Sequence, residues 1–180
     1  MTGSRDEGSA DLMRLAADGD EIAFARIVDS YHADMSSVCF VVTGGDAELT
    51  EEAVQSAWPI AWRKMGSLRD PARLRPWLIS IAVNEARQIS RRRLRGRVLE
   101  IEVVRDQPTE VRDPASFAGD IDLRNALARL TPEERALIAL RYVAGFDSTE
   151  LGRALGVSAS GTRARLSRVL DRLRSELGDG

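Results

Sequence analysis

The chain has 180 residues, a net charge of −2, and 43% hydrophobic and 30% charged side chains, which fits one domain or two small, helix-rich ones. Its single cysteine, Cys39, excludes an internal disulfide, and no run approaches the ~18 apolar residues of a membrane span. The N-terminus "MTGSRDEGSADLM" lacks the basic-then-apolar order of a signal peptide, so the chain is expected in the cytoplasm with no membrane insertion.

Residues 1–10 are small, polar and charged, and read as a disordered N-terminus. From Asp11 the spacing turns helical, with Leu12, Leu15 and Ala16 on one face. Asp20 suits the N-cap of a second helix carrying Ile22, Phe24, Ala25 and Val28. Residues 31–43 continue helical until "TGGD" at 43–46. A third helix, 48–65, places Val54, Trp58, Trp62 and Met65 in one apolar stripe and Glu48, Glu51, Glu52 and Gln55 on its other faces. Pro59 lies inside it, and an interior proline costs about 3 kcal/mol, so a kink or break is expected there. After the loop "GSLRDPARLRP", residues 77–97 form a helix that is apolar almost all round at first and then dense in arginine.

Residues 98–119 contain two prolines and no helical period, so they read as a flexible linker at a domain boundary. The second domain is helical throughout. Asp122 to Leu130 carries one apolar face. "TPEE" at 131–134 offers Thr131 as cap, Pro132 at the first helical position and Glu134 to close a capping box. "DSTE" at 147–150 repeats the device with Asp147 and Glu150 and starts a short helix that stops at Gly156. Ser158 then caps a last helix running to about Leu177.

A short helix, a glycine turn and a longer basic helix make the helix-turn-helix pattern. Gly152 allows close approach, Gly156 a left-handed turn, and Leu151, Leu155, Val157, Leu166 and Leu170 the packing. The first half of the last helix then keeps Ser160, Gly161, Arg163, Ala164 and Arg165 for a major groove, where arginine bridges guanine O6 and N7. Arg168, Arg172 and Arg174, further along, suit phosphates.

Charge is segregated along the chain. Residues 1–60 hold 3 basic and 12 acidic side chains, 61–97 hold 11 and 2, 98–150 hold 6 and 11, and 151–180 hold 6 and 3. Two basic zones on a near-neutral chain point to two anion-facing surfaces. One histidine, His32, and one cysteine are too few for a conventional zinc site, and no nucleophile has an evident base. Neither a metal, a cofactor nor an enzymatic activity is expected.

The segments "DEIAFARIVDSY", "EEAVQSAWPIAWRKM", "LRPWLISIAVNEARQISRRR" and "LTPEERALIALRYVAGFDSTELGRALGVSASGTRARLSRVLDRLR" resemble, in order and spacing, an extracytoplasmic-function sigma factor of bacterial RNA polymerase. The resemblance covers roughly 11–95 and 120–177. It implies an all-α chain of two small helical domains: region two at 11–97 and region four at 120–180, joined by the linker 98–119. It further implies that Glu48, Glu51, Glu52, Gln55, Trp58 and Trp62 meet core RNA polymerase. Arg69, Arg73, Arg75, Asn84, Arg87, Gln88, Arg91 and Arg92 would open and hold the minus-ten promoter element. Ser158, Ser160, Gly161, Arg163, Arg165 and Arg168 would read the minus-thirty-five element. The partners implied are core polymerase, promoter DNA and an anti-sigma protein. Ser56, Pro59 and Thr162 depart from the family's usual residues. A stand-alone helix-turn-helix regulator is the second reading; it requires a sensing domain in 1–97, where no strand–helix alternation is found.

Overall fold

The computed structural model describes residues 3–101 and 127–178. Residues 98–101 of the expected linker belong instead to the helix that begins at Leu74; the rest of the linker, from residue 102, and the expected helix start at Asp122 lie outside that range. Seven α-helices are described: α1 (Gly3–Ala17), α2 (Glu21–Thr43), α3 (Ala47–Lys64), α4 (Leu74–Ile101), α5 (Pro132–Ile138), α6 (Ser148–Leu155) and α7 (Ala159–Gly178). There is no strand among the described residues.

α1 begins at Gly3, well before Asp11. No proline interrupts residues 3–17, and Arg5, Asp6 and Glu7 are compatible with a helix. α2 starts where Asp20 Oδ1 accepts the amide hydrogens of Ile22 and Ala23, both at 2.9 Å. It ends at Gly44, whose φ of 80° is the left-handed cap that glycine adopts at least cost. Its buried face differs from the expected one. Ala23, Ile27, Met35, Val38, Cys39 and Val42 point inward, while Ile22 is 72% exposed. A stripe shifted by one residue still satisfies the helical period, so periodicity alone left this open.

α3 runs unbroken through Pro59. Gln55 and Pro59 are both exposed, so the Gln55 carbonyl that proline leaves without a helical donor faces solvent. Two tight turns, Met65–Ser67 and Pro71–Arg73, lead into α4. α4 buries Leu74, Leu78, Ile79, Ala82, Val83, Ala86 and Ile89 against α2 and α3. Each fully buried leucine or isoleucine here contributes about 1.5–3 kcal/mol.

α5 opens with the expected capping box: Thr131 Oγ1 accepts from the Glu134 amide at 3.3 Å, and Glu134 Oε2 accepts from the Thr131 amide at 2.8 Å. It continues into a wider turn, Ala139–Val143. There the Ala139 carbonyl takes the Ala144 amide at 3.0 Å and the Leu140 carbonyl takes the Phe146 amide at 2.9 Å. α6 has the second capping box, with Asp147 accepting from Thr149 and Glu150 at 2.7 and 2.8 Å and Glu150 accepting from the Asp147 amide at 2.9 Å.

The two helical units are packed on one another. α2 meets α5 and the turn after it, α4 meets α5, and the buried residues of both units join in one core. A partially shared core replaces the picture of two freely separate modules.

Candidate nucleic-acid interface

The helix-turn-helix is α6 and α7. At Gly152 an added Cβ would stand 2.7 Å from the Val157 carbonyl oxygen, so the close approach requires glycine. Gly156 has φ 69° and ψ 34°, the left-handed turn between the helices. Gly152→Ala is therefore expected to lower stability by about 1–3 kcal/mol through forced backbone displacement. Urea unfolding of the variant measures this, and an unchanged midpoint would mean that the turn yields freely.

Ser158 Oγ accepts the Gly161 amide at 3.1 Å and caps α7. Thr162, at an expected apolar position, is 1% exposed. Its Oγ1 donates to the Ser158 carbonyl at 3.0 Å, so the hydroxyl is satisfied inside the turn and packing is kept. α7 buries Thr162, Val169 and Leu173, while Leu166 and Leu170 are half-buried. Ser160, Arg163, Ala164, Arg165 and Arg168 are exposed, leaving the first half of α7 a small, basic surface.

The second basic zone lies on α4 and the turns before it. Arg69, Arg73, Asn84, Gln88 and Arg92 are exposed, and Arg73 pairs with Asp70 at 3.2 Å. Asn84, Gln88 and Arg91 share a cleft of about 400 Å³ with Arg87, Glu85, Ile81, Ile60 and Lys64. The sequence reading missed Ile60 and Lys64. They sit four apart on α3, and only the α3–α4 packing brings them beside Asn84. The cleft's lining combines two isoleucines, two amides, three cations and Glu85, a set that can hold a base and its phosphate.

Three more of the expected minus-ten arginines are engaged. Arg75 Nε donates to Asp34 Oδ2 at 2.7 Å and its Nη1 to the Ala144 carbonyl at 3.0 Å. Arg91 Nε pairs with Glu133. Arg87 Nη1 donates to Asn84 Oδ1 at 3.2 Å, while its buried Nε has no acceptor. Burial, then the neighbouring Arg91, holds the Arg87 guanidinium below its ordinary pKa, with Glu133 opposing. A second cleft, of about 600 Å³, lies within the C-terminal unit among α5, α6 and α7; Glu133, Arg165, Arg168 and Arg172 line it, and Arg87 is its one lining residue from α4. Arg172 Nη2 donates to Glu134 Oε2 at 2.7 Å. At Glu134 burial alone would raise the carboxyl pKa, but the Thr131 amide, Arg172 and the Thr131 hydroxyl outweigh it and hold it low.

The expected polymerase face divides. Glu48, Glu51, Glu52 and Gln55 are exposed along α3. Trp58 is 9% exposed and belongs to the core; Trp62 is half-buried. Phe24 meets Trp58 edge-to-face with centroids 5.8 Å apart, and Trp62 at 4.7 Å. Trp58 Nε1 lies 3.4 Å from His32 Nδ1, a long hydrogen bond that occupies the histidine. Burial pushes the Cys39 thiol up to about 12, which leaves it inert. Among the described residues no helix is long and apolar enough to cross a membrane.

Comparison with known proteins gives a consistent set of similarities. Residues 27–96 match the family model of sigma-70 region 2, and residues 126–175 that of sigma-70, region 4. The RNA polymerase sigma factor NccH of Alcaligenes xylosoxydans xylosoxydans is 27% identical, with 92% of each chain covered. The RNA polymerase sigma factor CarQ of Myxococcus xanthus is 30% identical over 73% of this chain and 76% of that protein. Among solved structures, the sigma factor RpoE from Bartonella quintana, in complex with the anti-sigma factor NepR, has a TM-score of 0.68 at 24% identity. That match covers 86% of this chain and 96% of that one.

Proposed function

Because the chain belongs to the sigma-70 family, in its extracytoplasmic-function branch, and is thus an alternative sigma factor directing transcription initiation, we propose that two separate basic surfaces divide promoter recognition between them. The first half of α7 enters the major groove of the minus-thirty-five element, with Arg163 and Arg165 at base edges and Ser158, Ser160, Gly161 and Arg168 at the backbone. α4 and its preceding turns open the minus-ten element. Arg69, Arg73, Arg75, Arg87, Arg91 and Arg92 track phosphates, while Asn84 and Gln88 bond an unstacked base above Ile60 and Ile81. Core RNA polymerase docks on the acidic side of α3 through Glu48, Glu51, Glu52 and Gln55. An anti-sigma protein is its expected antagonist. The chain supplies binding, orientation and strand separation, and the polymerase supplies the chemistry.

The observation that carries this reading is the bare, small and basic first half of α7, held outward by the Gly152–Gly156 turn. Tethering two modest readers raises their joint affinity without a new contact. Transcription from the chain's own genome by purified core polymerase tests it: initiation above the core-only background is expected, and its absence at every promoter would end the proposal. Arg165→Ala is expected to cost about 1–3 kcal/mol and to relax preference at one promoter position. If every template weakens equally, Arg165 contacts only phosphate.

A further inference from the structure

The cleft among α5, α6 and α7, about 600 Å³ in volume, has the size of a small-molecule site. Arg87, Arg165, Arg168 and Arg172 line it together with Glu133 and Glu134, a surplus of two positive charges. Ion pairs do not absorb that surplus. Arg172 donates to Glu134 at 2.7 Å, and Glu133 is paired with Arg91, which lies outside the lining. Among the described residues the Arg165 guanidinium has no hydrogen-bond or ion-pair partner. Arg168 engages only its Nε, with the Ala164 carbonyl at 3.2 Å. Arg87 gives Nη1 to Asn84, and its Nε is buried without an acceptor. An anion beside Arg87 would offset the burial and the Arg91 repulsion that hold its guanidinium below the ordinary pKa.

The remaining walls decide which anion fits. Leu137 and Val169 are buried and Leu155 and Val157 half-buried, and together they give the cleft an apolar side. A simple inorganic anion has nothing to place against that side. A fatty acid would have to lay its tail along Glu133 and Glu134. Glu133 uses Oε1 toward Arg91, which leaves Oε2 to accept from a hydroxyl or an amine. A free nucleotide satisfies all three demands. Its phosphates suit forked guanidinium donors, its planar base suits the apolar side, and its ribose hydroxyls suit the remaining carboxylate oxygen.

We propose that this cleft binds a nucleoside diphosphate. Arg87, Arg165 and Arg168 hold the phosphates, the base lies against Leu155 and Val157, and Glu133 accepts from the ribose. The consequence rests on the promoter-reading assignment above. Arg165 and Arg168 are there the readers of the minus-thirty-five element, so nucleotide and duplex compete for them.

Isothermal titration calorimetry of the full chain with ADP, in magnesium-free buffer, tests the site. Saturable binding of one ADP per chain is expected. Pyrophosphate and adenosine, each lacking half of the contacts, should bind at least about tenfold more weakly. Arg165→Ala and Arg87→Gln should each weaken ADP about tenfold, through loss of one charge-assisted hydrogen bond. Arg165 is exposed, so its replacement leaves the fold intact even where Arg87→Gln disturbs packing. Arg153→Ala removes the same charge from an exposed position outside the lining and should stay within about twofold of the parent. Absence of saturable binding, pyrophosphate as tight as ADP, or equal weakening by Arg153→Ala overturns the site. A fluorescent duplex of about 20 base pairs and random sequence, at low salt, then reads the competition. With ADP at about nine times its Kd, the apparent Kd of the duplex should rise about tenfold. If ADP binds with the expected pattern but the duplex is indifferent to it, the nucleotide site stands and the assignment of Arg165 and Arg168 to DNA fails.

Discussion

Arg135→Ala is expected to destabilise the protein by about 2–4 kcal/mol, from two lost charge-assisted hydrogen bonds less the relief of a buried cation. The residue is 7% exposed, and its removal strips donors from the Val42 and Leu130 carbonyls, 2.7 and 2.9 Å away. A carbonyl left buried without a donor costs about 1–3 kcal/mol. Arg135→Met keeps much of the volume, discards the charge and should lose less than alanine, since filling the space spares the cavity cost. Thermal unfolding followed by circular dichroism checks both. The parent is expected to melt as one unit because the two halves share a core. Arg135→Ala is expected to split that transition, with the C-terminal half melting first. A single, unshifted transition would show that the Arg135 contacts contribute nothing.

Trp58→Ala is expected to cost about 3–5 kcal/mol, the usual range for emptying a large aromatic site. The indole is 9% exposed, meets Phe24 edge-to-face at 5.8 Å, and supports the helix that displays Glu51, Glu52 and Gln55. Polymerase affinity should fall with stability in this variant. Trp58→Phe keeps a ring against Phe24 while losing the long bond to His32 and part of the indole's volume, so it should lose clearly less stability than alanine and keep polymerase affinity close to the parent. If Trp58→Phe melts normally yet loses polymerase, the indole is a direct contact after all and its burial is relieved in the complex.

Much of the local architecture could be read without coordinates, because it depends on residues close in the chain. Asp20, Thr131 with Glu134, Asp147 with Glu150, and Ser158 all cap where expected, each satisfying amide donors within three residues. Gly152 and Gly156 could be assigned to a close approach and a left-handed turn because no other residue suits either role. The small, basic, exposed first half of α7 followed from small and basic residues placed beside a capped start.

Other features depended on contacts between distant segments. The inward face of α2 was ambiguous by one residue, and only packing against α3 and α4 selects Ile27 and leaves Ile22 in water. Pro59 is tolerated because its side of α3 is exposed, a fact that a propensity scale does not contain. Ile60 and Lys64 join Asn84 only across the α3–α4 contact.

The amino-acid order by itself determined the capped starts of α2, α5, α6 and α7, which pair forms a helix-turn-helix, and where positive charge gathers, because caps, turns and helical period act over a few residues. Tertiary structure alone decided that Trp58 is core, that Arg135 closes the end of a helix 93 positions away, and that Arg87 of α4 joins Arg165 and Arg168 of α7 in lining one cleft. Burial and hydrogen-bond satisfaction are properties of the assembled neighbourhood, and a side chain's spacing in the chain does not say which distant carbonyl or carboxylate it will meet.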